Sequence, residues 1–305
     1  MKSLIFPFAV LSLATLPCSA ALLVYEGFTG YSVANLSLAT PNDNTIGLAK
    51  NAAYAGTAPE GYVLSAGLNF AGLASSGQAV TYSSSSTSVA SAELLLNSTV
   101  ANGGTLYSSY LVNTGTKSAA SGNGTELRIS EDSGSGGTRY RSFSDSRGST
   151  TNMGLFYSGT SNATIADSGV ALTSGTTYLM INTFANVNVA LSVGPPEVAG
   201  IGQSFALTET QFATMLAYPG GPQAFLNDAA TNNSLVTAYA TNTANTGNNG
   251  FISGDFMQMV KVSSGGTMDE LRYGDSLESV IPVPEPASGL LALFGIGAVA
   301  VRRRR

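Results

Sequence analysis

The sequence predicts an all-β chain folded as an antiparallel β-sandwich, and three observations carry that expectation. Apolar and β-branched runs recur at strand length, clusters of turn-forming residues separate them, and charge is sparse. Of the 305 residues only 10% are charged, whereas Ser, Thr, Asn, Ala and 35 Gly make up much of the remainder. Solvated helices draw their polar faces from Glu, Lys and Arg, so long soluble helices are not expected. Sandwiches of this length occur as one domain, which allows a single body with one sizeable core.

The chain opens with a segment outside that body. Lys2 precedes an apolar run from Leu4 to Leu16, and Pro17-Cys18-Ser19-Ala20 then places small residues at the −3 and −1 positions of a cut between Ala20 and Ala21. A basic start, an apolar centre and a small-residue cleavage site make residues 1–20 a secretory signal peptide, addressed to a signal peptidase. Thr15-Leu16-Pro17 ahead of Cys18 does not resemble a lipobox.

The body is expected over residues 21–281. Its strand candidates are Ala21 to Phe28, Thr105 to Val112, Glu126 to Ser130, Thr177 to Phe184, Asn188 to Val193 and Phe256 to Val262, each rich in Val, Ile, Leu, Tyr, Phe or Thr. Turn and loop signals lie between them: Asn102-Gly103-Gly104, Ser133 to Gly137, Gly194-Pro195-Pro196, Pro219-Gly220-Gly221-Pro222 and Thr241 to Gly250. The serine run Ser83 to Ser88 and the stretch Ser118 to Gly124 are too short for domain linkers and read as loops or edge-strand surface. One segment departs from the pattern. Thr208 to Tyr218 predicts a short helix, with Thr208 as N-cap and Glu209 in the first turn.

Composition removes several kinds of chemistry. The chain has no His and no Trp, and its one Cys, Cys18, lies inside the segment that export removes. Ser-His-Asp hydrolysis and His-containing zinc sites are thereby excluded, as are a disulfide framework and a thiol nucleophile. Between Lys2 and Glu285 stand 8 basic against 17 acidic residues, a net charge of −9. An acidic body repels nucleic-acid phosphates and anionic lipid, so no nucleic-acid partner is expected.

The C-terminal end carries a composite motif over residues 282–305. Pro284-Glu285-Pro286 is followed by an uncharged apolar run from Ala287 to Val301 and then by Arg302, Arg303, Arg304 and Arg305. The prolines forbid regular helix or sheet at the motif and hold it extended for another protein to read. As a helix the apolar run spans ~22 Å against a hydrocarbon core of ~30 Å, a short transmembrane segment that the arginines would keep oriented to the cytoplasm. This tail resembles the PEP-CTERM sorting signal of exosortase-dependent bacterial surface proteins. The resemblance implies that the helix 287–301 pauses export at the membrane, and that an exosortase, a polytopic membrane cysteine protease, acts near Pro284-Glu285-Pro286.

Three stretches of the body resemble concanavalin A-like, LamG-type jelly rolls. Leu23-Val24-Tyr25-Glu26-Gly27-Phe28 resembles the opening strand, Gly67-Leu68-Asn69-Phe70-Ala71-Gly72-Leu73 a following segment, and Met268-Asp269-Glu270-Leu271-Arg272-Tyr273-Gly274 the closing strand. The resemblance implies a jelly-roll sandwich, and a fold does not by itself supply a function. Glycosidases of this fold commonly carry Glu-x-Asp-x-x-Glu on one strand, and no Glu here is followed two positions later by Asp. Glu126 and Glu131 are five apart, on opposite faces of a strand, and read as surface charge.

Binding is the other possibility. Asp255, Asp269 and Asp275 offer the oxygen ligands that calcium takes, but without an EF-hand spacing they read as solvated strand-end charges, and no cofactor is expected. Arg139-Tyr140-Arg141 with Arg147 suits an anionic polysaccharide, though it too reads as a solvated loop. Asp269, Glu270 and Arg272 read as exposed pairing and solubility residues, and no ligand-binding residue is assigned. The expectation is a non-catalytic exported surface or extracellular-matrix protein that associates with exopolysaccharide or neighbouring surface components. The alternative is a divergent carbohydrate-active enzyme using carboxylates alone.

Overall fold

A computed structural model describes residues 20–32, 35–41, 44–49, 54–55, 62–73, 77–82, 90–97, 104–115, 125–130, 138–144, 152–157, 166–187, 201–243, 256–261 and 266–281. The described strands, in chain order, are β1 (Leu22–Glu26), β2 (Tyr62–Ala66), β3 (Gln78–Tyr82), β4 (Ala90–Leu95), β5 (Gly104–Asn113), β6 (Glu126–Ser130) and β7 (Thr138–Phe143). They continue with β8 (Gly154–Tyr157), β9 (Ala166–Asp167), β10 (Thr177–Val187), β11 (Ile201–Leu207), β12 (Ala238–Thr243), β13 (Phe256–Lys261) and β14 (Thr267–Gly274). The α-helices among the described residues are α1 (Glu209–Leu216), α2 (Gly221–Ala229) and α3 (Leu277–Val280).

Every strand pairing is antiparallel, and the strands form two sheets. One runs β12-β11-β10-β5-β14-β3-β2 with β1 added on β14, and the other runs β4-β13-β6-β7-β8-β9. Their inner faces meet in a core to which Leu106, Tyr110, Met180 and Phe184 come from the larger sheet and Leu94, Ile129, Leu155 and Met257 from the smaller. This is the expected mostly-β sandwich.

The centre of the larger sheet is apolar on both faces. Leu111, Leu179, Ile181, Phe205 and Leu207 point away from the sandwich core and are covered by Phe212 and Met215 of α1, Phe225 and Leu226 of α2, and Leu277 and Val280 of α3. Each such side chain removed from water contributes about 1.5–3 kcal/mol, so the helical layer is part of the fold's stability. It also explains why Thr105 to Val112 and Thr177 to Phe184 read as near-continuous apolar runs.

Helix α1 starts as expected. Thr208 and Gln211 form a reciprocal capping box, with Glu209 in the first turn. Pro219-Gly220-Gly221-Pro222 reads as a turn, and the structure has that turn at Pro219-Gly220, but Gly221-Pro222 already belong to helix α2, which the sequence reading does not include. Gly220 adopts φ 86° as the cap, and Pro222 sits in the first turn, where its missing N–H costs nothing.

Register at the centre is pinned by neutral polar groups. Asn182 lies directly opposite both Ser108 and Ser204. Its amide donates to Ser108 Oγ at 2.9 Å and accepts from Ser204 Oγ at 2.6 Å, all three residues being buried on the inner face. A one-residue slip of β10 would move Asn182 to the other face and break both bonds.

The strand candidate Asn188 to Val193 and most of the turn clusters lie outside the described residues, as do the signal segment 1–19 and the tail 282–305. Among the described residues no helix is long and apolar enough to cross a membrane.

Candidate functional site

The strongest concentration of ionisable groups lies where β14 changes partners. Thr267 and Met268 pair with β3, whereas Leu271 to Gly274 pair with β1 along the same edge. Asp269 and Glu270 fall between, and the register of β14 against β5 shifts at that point as in a β-bulge. Glu270 adopts φ 53° there and Phe28, just after β1, adopts φ 54°. These are the only non-glycine residues with left-handed φ among the described residues, so local strain is concentrated at this junction.

Glu26 is 1% exposed and accepts three hydrogen bonds. Phe28 N donates to Oε1 at 2.6 Å, while the hydroxyls of Tyr31 and Tyr54 donate to Oε2 at 2.7 and 2.6 Å. Burial pushes the Glu26 carboxyl above its usual range, the bonds from Tyr54, Tyr31 and Phe28 pull it back, and the charge of Glu270 adds to the rise. Burial and the Glu26 charge hold both tyrosine hydroxyls protonated, hence as donors.

Asp269 is fully buried and accepts from two main-chain groups, Leu68 N on Oδ2 and Glu270 N on Oδ1, each at 2.8 Å. Burial pushes its carboxyl up to about 7 against the pull of those bonds and of Arg272, with the Glu270 charge adding to the rise. Beside it, Arg272 pairs with Glu270 at 2.7 Å and lies 4.4 Å from the centre of the Tyr25 ring, whose hydroxyl donates to Glu270 at 3.1 Å. Tyr25 and Arg272 are directly opposed in the β1–β14 ladder, so strand register builds this stack.

The arrangement corrects the reading of Asp269, Glu270 and Arg272 as exposed charges. Asp269 and Glu270 are 0% and 3% exposed, because the bulge turns them toward β1 and the Gly67-Leu68 loop. Glu126 is corrected likewise: it is buried on β6 with its carboxylate 3.8 Å from Arg128. Chemically, the junction fastens chain segments. Its carboxylates hold donors from the Phe28–Tyr31 turn, the segment at Tyr54 and the Gly67-Leu68 loop onto two strands that are about 245 residues apart in the chain.

Other expected site residues are placed as follows. Ala20 and Ala21 are exposed at the start of the body, and Asp275 is exposed just beyond β14. Arg139, Tyr140 and Arg141 lie in strand β7 rather than a loop, and their side chains are outside the described set. Glu131, Arg147 and Asp255 lie outside it altogether, together with Pro284, Glu285, Pro286 and Arg302 to Arg305. Among the described residues no group of three or more acidic side chains is placed to hold a metal ion.

Comparison with known proteins bears on the tail. The family described as the PEP-CTERM protein-sorting motif matches residues 282–305. The tail is a PEP-CTERM sorting motif. It implies an exported protein, recognised by an exosortase and sorted to the cell surface. No curated protein matches the chain. Among solved structures, an alginate lyase, vAL-1 from Chlorella virus, is similar with a TM-score of 0.31 and 9% identity over 71% of this chain and 93% of that one. A likeness at that level carries no argument about fold or activity.

Proposed function

We propose that residues 21–281 form a single jelly-roll domain of concanavalin A-like, LamG type that serves as a non-catalytic surface or matrix module and associates with exopolysaccharide. The sorting motif at 282–305 carries this reading, because it sends the body to the cell surface, where polysaccharide is the abundant ligand. In this reading residues 1–20 are removed between Ala20 and Ala21. The segment Ala287 to Val301 holds the chain in the membrane, Arg302 to Arg305 keep its end cytoplasmic, and an exosortase cuts near Pro284-Glu285-Pro286.

Two features of the body support a binding rather than a catalytic role. Glu26, Asp269 and Glu270 hold the chain's own donors while almost fully buried, which closes them to a saccharide. On the outer face of the larger sheet, near its β12 edge, an uncharged row runs through Thr183, Gln203 and Thr241. Gln203 is bonded to the buried Thr183 at 3.3 Å and to the hydroxyl of Tyr239 at 3.0 Å, so that half-buried Gln203 and Tyr239 and exposed Thr241 present amide, aromatic and hydroxyl groups together.

The test is a glycan array probed with the exported protein, run beside an activity screen on the same polysaccharides. Binding without cleavage, weakened in Gln203→Ala and Tyr239→Ala, is the expected result. Reproducible cleavage that a single Glu or Asp substitution abolishes contradicts the reading.

A further inference from the structure

Strand β1 begins where β14 ends. Leu22 is paired with Gly274, and the preceding residue, Ala21, makes two bonds with Asp275. The Ala21 main-chain nitrogen donates to Asp275 Oδ1 at 2.7 Å, and the Ala21 carbonyl accepts the Asp275 N–H at 3.2 Å. The seat is tight: a Cβ on Gly274 would come within 3.0 Å of the Ala21 carbonyl oxygen and would collide with Ser279. Both Ala21 and Asp275 are exposed, so water alone would satisfy an ordinary peptide N–H there. A carboxylate at this distance is suited to a charged donor.

The sequence puts the signal-peptidase cut at the bond that forms this same nitrogen. Hydrolysis of the Ala20–Ala21 peptide adds water, leaving a carboxylate on Ala20 and an α-ammonium on Ala21. We propose that Asp275 is the receptor for that α-ammonium, so that removal of the signal peptide replaces a neutral amide contact with an ion pair that fastens β1 to β14. The inference rests on reading residues 1–20 as a cleaved signal peptide. The charged groups on the surrounding elements are Glu26 of β1, Asp269, Glu270 and Arg272 of β14, and Glu278 of α3. Glu26 and Asp269 are buried on their own donors and Glu270 is paired with Arg272, while Asp275 is the carboxylate that contacts the Ala21 nitrogen. Strand β14 leads through α3 to Ile281, immediately before the sorting motif. The mature N-terminus therefore clasps the strand from which the sorting tail hangs.

The experiment uses mature protein recovered after export, as wild type and as Asp275→Asn. N-terminal sequencing establishes the first residue. The rate at which an amine-acetylating reagent modifies the α-amine at pH 7 and low salt is then read by mass spectrometry, with Lys50 and Lys117 as internal references. A chain starting at Ala21 whose α-amine reacts roughly two- to five-fold more slowly in wild type than in Asp275→Asn is expected, with the difference closing in 1 M salt. Equal rates in chains that both start at Ala21 overturn the ion pair and leave the signal-peptide reading standing. A different first residue overturns both. Should Asp275→Asn fail to accumulate, wild type alone decides: acceleration by salt supports the pair, and a salt-independent rate overturns it.

Discussion

Two of the buried polar clusters among the described residues are built on different principles. The ladder Ser108–Asn182–Ser204 is neutral, lies across three central strands and joins residues that already face one another. The cluster around Glu26 and Asp269 is built of ionisable groups, lies at the seam where β14 passes from β3 to β1, and ties loops to strands. Central strands need only their register fixed, which a neutral amide does without a large desolvation cost. At the seam the ladder is interrupted, and the main-chain N–H groups of Phe28, Leu68 and Glu270 donate to carboxylates, whose several acceptor positions let one side chain gather more than one donor.

The difference predicts unequal costs on substitution. Glu26→Ala leaves two tyrosine hydroxyls and the Phe28 N–H without their acceptor in a buried site, and should destabilise the protein by about 3–5 kcal/mol in denaturant unfolding. A loss under 1 kcal/mol would show that the seam relaxes around water and that Glu26 does not organise it. For Asn182→Ala the expected loss is smaller, about 2–3 kcal/mol, since two serine hydroxyls can turn to other acceptors and the residual cost is mainly the cavity. If Asn182→Ala proves the more costly of the two, the ranking of seam above ladder is wrong.

The pH dependence separates the clusters further. Folding raises the Asp269 carboxyl from 3.8 to about 7, so the folded protein holds this proton more tightly than the unfolded chain. That contribution to stability is present below about pH 4 and is lost as pH rises toward 7. Glu26 acts in the same direction. Asp269→Asn should remove about 1–3 kcal/mol of this fall between pH 4 and 7 in parallel unfolding titrations, and Asn182→Ala should leave the slope unchanged. Identical slopes in wild type and Asp269→Asn would mean that Asp269 does not retain its proton on folding. The smallest effect is expected at Thr208→Ala, which loses one helix cap in the outer layer, about 1 kcal/mol with no pH dependence.

The same contrast governs how much the sequence discloses. Strands β5 and β10 are legible because both faces are apolar, and α1 because Thr208 as N-cap and Glu209 in the first turn are local signals. Strands β3, β4 and β12 are not, since Ala79, Ala90, Ala92, Ala238 and Ala240 have little β preference and are held by cross-strand partners. The turn residues ahead of α2 hide a helix start, because Gly and Pro serve both purposes. The sorting tail is legible because its recognition is local. The carboxylate seam is not, since Glu26 and Glu270 are separated by most of the chain and are brought together by the pairing of β1 with β14. A signal does exist: Asp269 and Glu270 are adjacent in the closing strand between Met268 and Leu271, and adjacent strand residues point to opposite faces, so the two cannot both sit on one solvated face.

Export of this body by an exosortase-read tail is tested by intact-mass measurement of the protein released from the surface of a host with and without its exosortase. A chain that starts at Ala21 and lacks Ala287 to Arg305 is expected in the first host, and one that keeps its tail in the second or when Glu285→Ala is introduced. Released protein of the same mass in all three, with residues 287–305 still attached, would contradict it.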